Sequence, residues 1–247
     1  MNRYIIILLL ATTMTSVYAQ KKQQAKWEYD IKIGLNIGGN SPLPLPVEIR
    51  EIKSYSPTFA PSIGADITHH LNKRWGITSG IKLEKKGMST KARVKNYRTE
   101  IVENGNKLKG NWTGNVKTKA TGYHLTLPLL CTYRASEKIN IKAGVFLSYL
   151  LDGEMSGYVN NGYLRKDDPT GDKVVFDSKT KGTYDFSDEM RKLNWGLQAG
   201  ADYRITKSLK LFADLAWGLN DTMKDSFKTI TFSMYPIYFN FGIGYNL

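Results

Sequence analysis

What this chain of 247 residues has little of narrows its class first. Its one cysteine, Cys131, excludes an intramolecular disulfide framework and any cysteine-based metal site. It has no apolar run of the ~18 residues that a membrane helix needs, and its mean hydropathy is negative, so it is not a bundle of membrane helices. With three histidines, the chain offers few catalytic bases and few metal ligands. Acids are also scarce, 22 against 35 lysines and arginines, and the resulting net charge of +13 favours contact with an anionic surface.

The beginning of the chain addresses it for export. Arg3 provides a basic start, Tyr4 to Ala11 form an apolar core too short to span a bilayer, and Val17-Tyr18-Ala19 places small residues where a signal peptidase reads. Residues 1–19 therefore read as a signal peptide, with cleavage before Gln20 and one domain over residues 20–247. No cysteine follows the apolar run, which argues against a lipid anchor. Removal of Arg3 leaves a net charge of +12.

From Trp27 onward the pattern has a period of two. Trp27, Tyr29, Ile31, Ile33, Leu35 and Ile37 alternate with Glu28, Asp30, Lys32, Gly34, Asn36 and Gly38, as in a strand between two very different environments. The rhythm predicts eight strands, at Glu28–Gly38, Thr58–His70, Trp75–Met88, Thr121–Arg134, Ile139–Asp152, Leu193–Arg204, Leu209–Asn220 and Phe232–Leu247. Three links are short and polar: Leu71–Arg74, Ala135–Lys138 and Ile205–Ser208. Four are long: Gly39–Pro57, Ser89–Ala120, Gly153–Lys192 and Asp221–Thr231. The expected fold is all-β, an eight-stranded antiparallel transmembrane β-barrel with short periplasmic turns and long extracellular loops.

Which face meets lipid follows from the aromatics. A soluble barrel of the lipocalin kind has an apolar cavity and a polar exterior, and odd-numbered residues are the apolar ones here. Trp27, Trp75, Tyr133, Tyr203 and Tyr245 fall at the short-turn end of the apolar face, and Phe59, Tyr123, Tyr149, Trp195, Trp217 and Tyr235 at the long-loop end. Two belts of amphipathic rings bounding an aliphatic band are what the two interfaces of a bilayer select, so the odd residues face lipid and Cys131 acts there as a small apolar side chain.

The final residues add an independent signal. In Asn240-Phe241-Gly242-Ile243-Gly244-Tyr245-Asn246-Leu247, Gly242, Tyr245 and Leu247 occupy the places of the terminal assembly signal of outer-membrane proteins. Across almost all of the mature chain the layout resembles the porin-like outer-membrane β-barrel family to which PorT-type proteins belong. Leu125-Thr126-Leu127-Pro128-Leu129-Leu130 looks like that family's strand with an embedded proline, and Phe241-Gly242-Ile243-Gly244-Tyr245 like its closing strand. The resemblance implies a barrel in the outer membrane of a Gram-negative bacterium, handled by the barrel assembly machinery, with no catalytic residues.

Inside, the even-numbered positions place charges of both signs together: Asp30, Lys32, Asp66, Arg134, Lys142, Asp202, Arg204, Lys210 and Asp214. Eight strands enclose a space just wide enough for side chains, so these charges are expected to pair and plug the lumen. His124 faces inward by parity with no serine tied to it in sequence, and His69-His70 lacks a third ligand, so no catalytic residue, metal or cofactor is expected.

The loops carry what remains. Lys91, Arg93, Lys95, Arg98, Lys107, Lys109, Lys117 and Lys119 make the second loop basic, suited to phosphates of the outer-leaflet lipid. Asp167, Asp168, Asp172, Asp177, Asp185, Asp188 and Glu189 make the third acidic, and the two are candidates to pair with each other. An exported chain does not meet nucleic acid. The reading is a monomeric, non-enzymatic barrel whose extracellular loops bind or organise an envelope component, a secretion partner or a surface ligand. The alternatives are a small passive diffusion pore and a lipid-modifying outer-membrane enzyme.

Overall fold

The computed structural model describes residues 26–103 and 105–247, and the signal-peptide segment and its cleavage site at Gln20 lie outside the described residues. Eleven strands follow in chain order: β1 Trp27–Pro42, β2 Ile49–Pro57, β3 Pro61–His70, β4 Trp75–Glu103, β5 Asn106–Arg134, β6 Ile139–Lys166, β7 Lys173–Phe176, β8 Gly182–Asp185, β9 Leu193–Arg204, β10 Leu209–Gly218 and β11 Met234–Asn246. A 3-10 turn occupies Ser187–Glu189. No helix among the described residues is long and apolar enough to cross a membrane, and the crossing is made by strands.

Eight of these strands close a ring, β1-β3-β4-β5-β6-β9-β10-β11 and back to β1, with every neighbouring pair antiparallel. Closure removes both sheet edges, which hydrocarbon would leave unsatisfied. The side-chain alternation is the one read from the sequence: Ile33, Ile63, Leu129, Leu147, Leu197 and Ile243 are exposed on the outside, while Lys32, Thr126, Lys142, Gln198 and Asn240 are buried within.

The three short turns share one geometry. Their second residues, Asn72, Ser136 and Thr206, each accept a hydrogen bond from the backbone N–H three residues later, on Trp75, Ile139 and Leu209. The carbonyls of those same three residues accept in return from the first two N–H groups of each turn. A short polar side chain that satisfies the turn's own backbone ends each hairpin where the sequence places it.

The long connections differ from the expectation. Ser89–Ala120 is no loop: β4 and β5 run on as one hairpin, 29 residues each, and β6 is 28 residues long. Strand β2 stands within the first expected loop and pairs with β4, and β7 and β8 stand within the third and pair with β6. The physical reason is an inversion of polarity. Above the outer aromatic belt the inward residues become apolar, as with Met88, Val94, Val116, Ala120 and Val159, while the outward ones are Lys91, Arg93, Lys117 and Lys119. Bulges between Val94 and Tyr97, between Tyr123 and His124, and between Thr113 and Asn115 then shift which parity points in. A segment that is apolar inside and charged outside, with breaks in its period, has the composition of a loop and the backbone of a strand.

The result is a lobe standing outside the membrane, with its own hydrophobic core. Ile101, Trp112, Val159 and Leu164 are fully buried there, and Trp112 meets Phe176 edge-on at 5.4 Å between ring centroids. A bridge between Val102 and Thr183 brings the tip of β4 onto β8, so that β4, β5, β6 and β8 wrap the core.

Candidate functional site

The barrel interior is layered along its axis. Lowest, toward the short turns, Glu28 receives Lys210 and Arg204, each at 3.4 Å, and His70 at 3.0 Å, while Lys210 also pairs with Asp30. In the middle, Lys32 lies 2.6 Å from Asp66 and 3.5 Å from Asp202, and Lys142 lies 2.8 Å from Asp202 and 3.1 Å from Asp214. Highest, Glu84 takes Lys86 at 2.9 Å, Lys82 at 3.5 Å and the Thr126 hydroxyl at 2.7 Å. Removed from water, such ions persist only because they are paired, and Glu28, Glu84 and Asp202 each face more than one donor.

Glycine makes room for these long side chains. Gly34 and Gly242 face each other across β1 and β11, and a Cβ on Gly34 would come within 2.8 Å of the Phe212 ring. The pair of hydrogens there admits the ring into the lumen, where the Lys32 ammonium stands 5.1 Å from its centroid.

Of the sequence candidates, Asp30, Lys32, Asp66, Lys142, Asp202, Arg204, Lys210 and Asp214 all take part in these pairs. Arg134 departs from the expectation. It makes no ion pair among the described residues and instead lines the periplasmic mouth, a cavity of about 580 Å³ that it shares with Lys73, Arg204 and Lys207. The reason is its place at the last residue of β5, at the short-turn rim, where its neighbours around the mouth are largely basic. Glu28, His70, Lys82, Glu84 and Lys86 join the network without having been among the candidates; their even numbers were the available signal.

The ionic layers end at a ring of aromatics. The Lys86 ammonium lies 5.7 Å from the centroid of Phe146 and 5.6 Å from that of Tyr238, and above them begins the apolar core with Met88, Leu150, Met155 and Met234. His124 faces inward as its parity requires, with Nδ1 3.5 Å from the Ser148 hydroxyl, a neighbour that folding alone supplies. Both face the lumen, away from lipid, and the adjacent Glu84 is already held by two lysines and Thr126.

Outside, Trp27, Trp75, Tyr203 and Tyr245 are exposed at the lower rim, with the Tyr133 ring tilted against Trp75 at 4.7 Å between centroids; Phe59, Tyr123, Tyr149, Trp195 and Trp217 are exposed at the upper, with Tyr235 half-buried. On the tilted strand β5 the distance from Tyr133 to Tyr123 corresponds to ~25 Å of height, the thickness of an outer-membrane hydrocarbon band. At the closing strand, the Leu247 N–H donates to the Tyr29 carbonyl, and Tyr245 is opposite Ile31 and Leu209 while Gly242 is opposite Gly34 and Phe212.

The charged surface of the lobe also departs from one expectation. The acidic residues of the third connection do not pair with the basic hairpin; they close their own turns, Asp168 on Thr170, Asp177 on Lys179 and Thr180, and Asp185 on Ser187. Although the two segments share the β5–β6 ladder, the one ion pair between them among the described residues joins Lys119 and Glu154, at 3.0 Å. Hydrogen bonds from the Ser187 hydroxyl and then its backbone N–H hold the Asp185 carboxyl below the usual range. Lys91, Arg93, Lys95 and Arg98 remain on the outer side of β4, and Lys107 and Lys109 near the tip of the hairpin, where Lys107 meets Glu100 at 3.4 Å.

Among solved structures, the chain is similar to Ail, the attachment invasion locus protein of Yersinia pestis, in complex with the heparin analogue sucrose octasulfate. Identity is 10%, covering 90% of this chain and 97% of that one, with a TM-score of 0.38. It is also similar to the Neisserial surface protein A, at 9% identity, covering 92% of this chain and 100% of that one, with a TM-score of 0.33. No curated protein matches significantly. The model of a family described as the outer membrane protein beta-barrel domain matches residues 18–224, a stretch that takes in most of the extracellular lobe and seven of the eight strands of the ring. The protein sits in the outer membrane of a Gram-negative bacterium, and it belongs to the outer membrane protein beta-barrel domain family.

Proposed function

We propose that this barrel conducts nothing and works through the lobe it carries outside the cell, binding or organising an envelope or surface component there. One observation supports the reading: ion-paired tiers around Asp202 and Glu84 stand inside the barrel, with the apolar core around Leu150 and Met155 above them. A diffusing solute would have to break the pairs and then cross a dry layer. The chain places three strands of nearly thirty residues where about ten suffice to cross a bilayer, and the surplus builds a packed, rigid platform beyond the membrane. Catalysis forms no part of this reading, because the Ser148 and His124 contact is enclosed in the lumen, out of reach of lipid.

The test is conductance. Purified, folded protein in planar bilayers shows no steady open state if the reading holds. Reproducible channels in the wild type overturn it in favour of a small pore.

A further inference from the structure

We propose that the outer side of the lobe holds phosphate groups on the saccharides of neighbouring outer-leaflet glycolipids, through Lys91, Lys117 and Lys181 arranged around Tyr158. The proposal rests on the reading that the barrel acts through its lobe and adds which surface is used and for what chemistry.

The strand register assembles the site. Lys91 of β4 is directly opposite Lys117 of β5, and Lys117 is opposite Tyr158 of β6. The ammonium groups of Lys117 and Lys181 lie 5.7 Å and 4.8 Å from the Tyr158 ring centroid. One level up, Arg93 is opposite Asn115, whose side-chain oxygen accepts a hydrogen bond from Lys53 at 2.9 Å. The acids nearby are Glu51, opposite Arg93 on β2, and, one level below the site, Glu154, paired with Lys119, and Asp185, opposite Ser156. Like charges directly opposite on a sheet destabilise it, and Lys91 and Lys117 make no ion pair among the described residues. Lys117 and Lys181, the latter just before β8, thus stand at one aromatic ring with Lys91 directly across from Lys117, an arrangement that an anion with several oxygens would satisfy.

The place of the row selects the occupant. It lies on the same outward side of the same strands as the lipid-facing Leu125, Leu127 and Leu129, so whatever stands beside the barrel there faces it. Lys117 is six positions above Tyr123 along β5, which on a tilted strand is ~15 Å beyond the outer belt, within the sugar layer of the outer leaflet. Lys85, with its ammonium 5.5 Å from the Tyr123 ring centroid, marks the lower end of the same cationic side at the belt itself.

The experiment uses full-length folded protein, loaded with core lipopolysaccharide carrying its phosphates, or with the same material after chemical dephosphorylation, and retention is measured by native mass spectrometry across a salt series. The wild type retains the phosphorylated form in a salt-sensitive manner, and the K91Q/K117Q variant loses roughly tenfold or more in affinity. That variant also unfolds at a higher temperature than the wild type in the absence of glycolipid, because the facing charges are gone; a variant that merely misfolds shows the reverse. Equal retention by wild type and variant, equal retention of the dephosphorylated glycolipid, or no retention by the wild type each overturns the proposal. None of these bears on the closed lumen, which conductance decides separately.

Discussion

The ammonium of Lys142 lies 2.8 Å from the carboxylate of Asp202, on neighbouring strands and almost wholly out of water. Asp202 also faces Lys32 at 3.5 Å, so one carboxylate joins two of the cations of the middle tier. Asp202→Ala leaves both cations short of a partner, although Lys142 keeps Asp214 and Lys32 keeps Asp66. The expected loss is about 3 kcal/mol, the low end of what removing one member of a buried pair costs. Urea unfolding in lipid vesicles measures it, and an unchanged midpoint contradicts the role given to the tier.

Leu129 stands near mid-height on the outer face of β5, opposite Val145 and Ser79 and exposed. On a soluble protein an exposed Leu129→Arg change would be almost neutral. Facing hydrocarbon it costs roughly 2 to 4 kcal/mol. The same unfolding experiment separates the two, with Lys107→Gln at the far tip as a control that leaves the midpoint unmoved.

Trp112 closes the core of the lobe against Phe176, and its indole N–H donates to the Asn115 carbonyl. Truncation to alanine is expected to cost about 3 to 5 kcal/mol within the lobe. The ring below stands on its own hydrogen bonds and ion pairs. Limited proteolysis of intact cells expressing Trp112→Ala therefore cuts the lobe, while the barrel keeps its heat-modifiable migration in gels; loss of both together shows that lobe and barrel fold as one unit.

Acid acts on the lobe through Asp185. The Ser187 hydroxyl and N–H stabilise the charged carboxylate and lower its pKa in the folded state, and the Ser187 hydroxyl in turn accepts from the Met155 N–H. The stabilisation is present above the unfolded value near pH 4 and is lost as pH falls through the lower folded value. Hydrogen exchange at Met155 and Ser187 is expected to accelerate below about pH 4, and Asp185→Asn to remove that dependence.

The alternation from Trp27 to Ile37, repeated in seven later segments, was enough to place the eight membrane crossings, because a strand between lipid and a polar lumen must alternate strongly. The turns were equally legible, since Asn72, Ser136 and Thr206 satisfy their own backbone locally. The partners of the lumen charges were not: Glu28 and Lys210 are far apart in the chain, and only ring closure between β1 and β11 and the register across β10 bring them within 3.4 Å. Nor was the lobe, whose cores and charges obey the opposite rule from the bilayer below. The sequence by itself determined which side chains face lipid, because hydrocarbon tolerates no other assignment. The tertiary structure alone decided how far the strands continue into water and which cations stand opposite one another, because outside the bilayer nothing but packing across strands sets where an alternating segment ends.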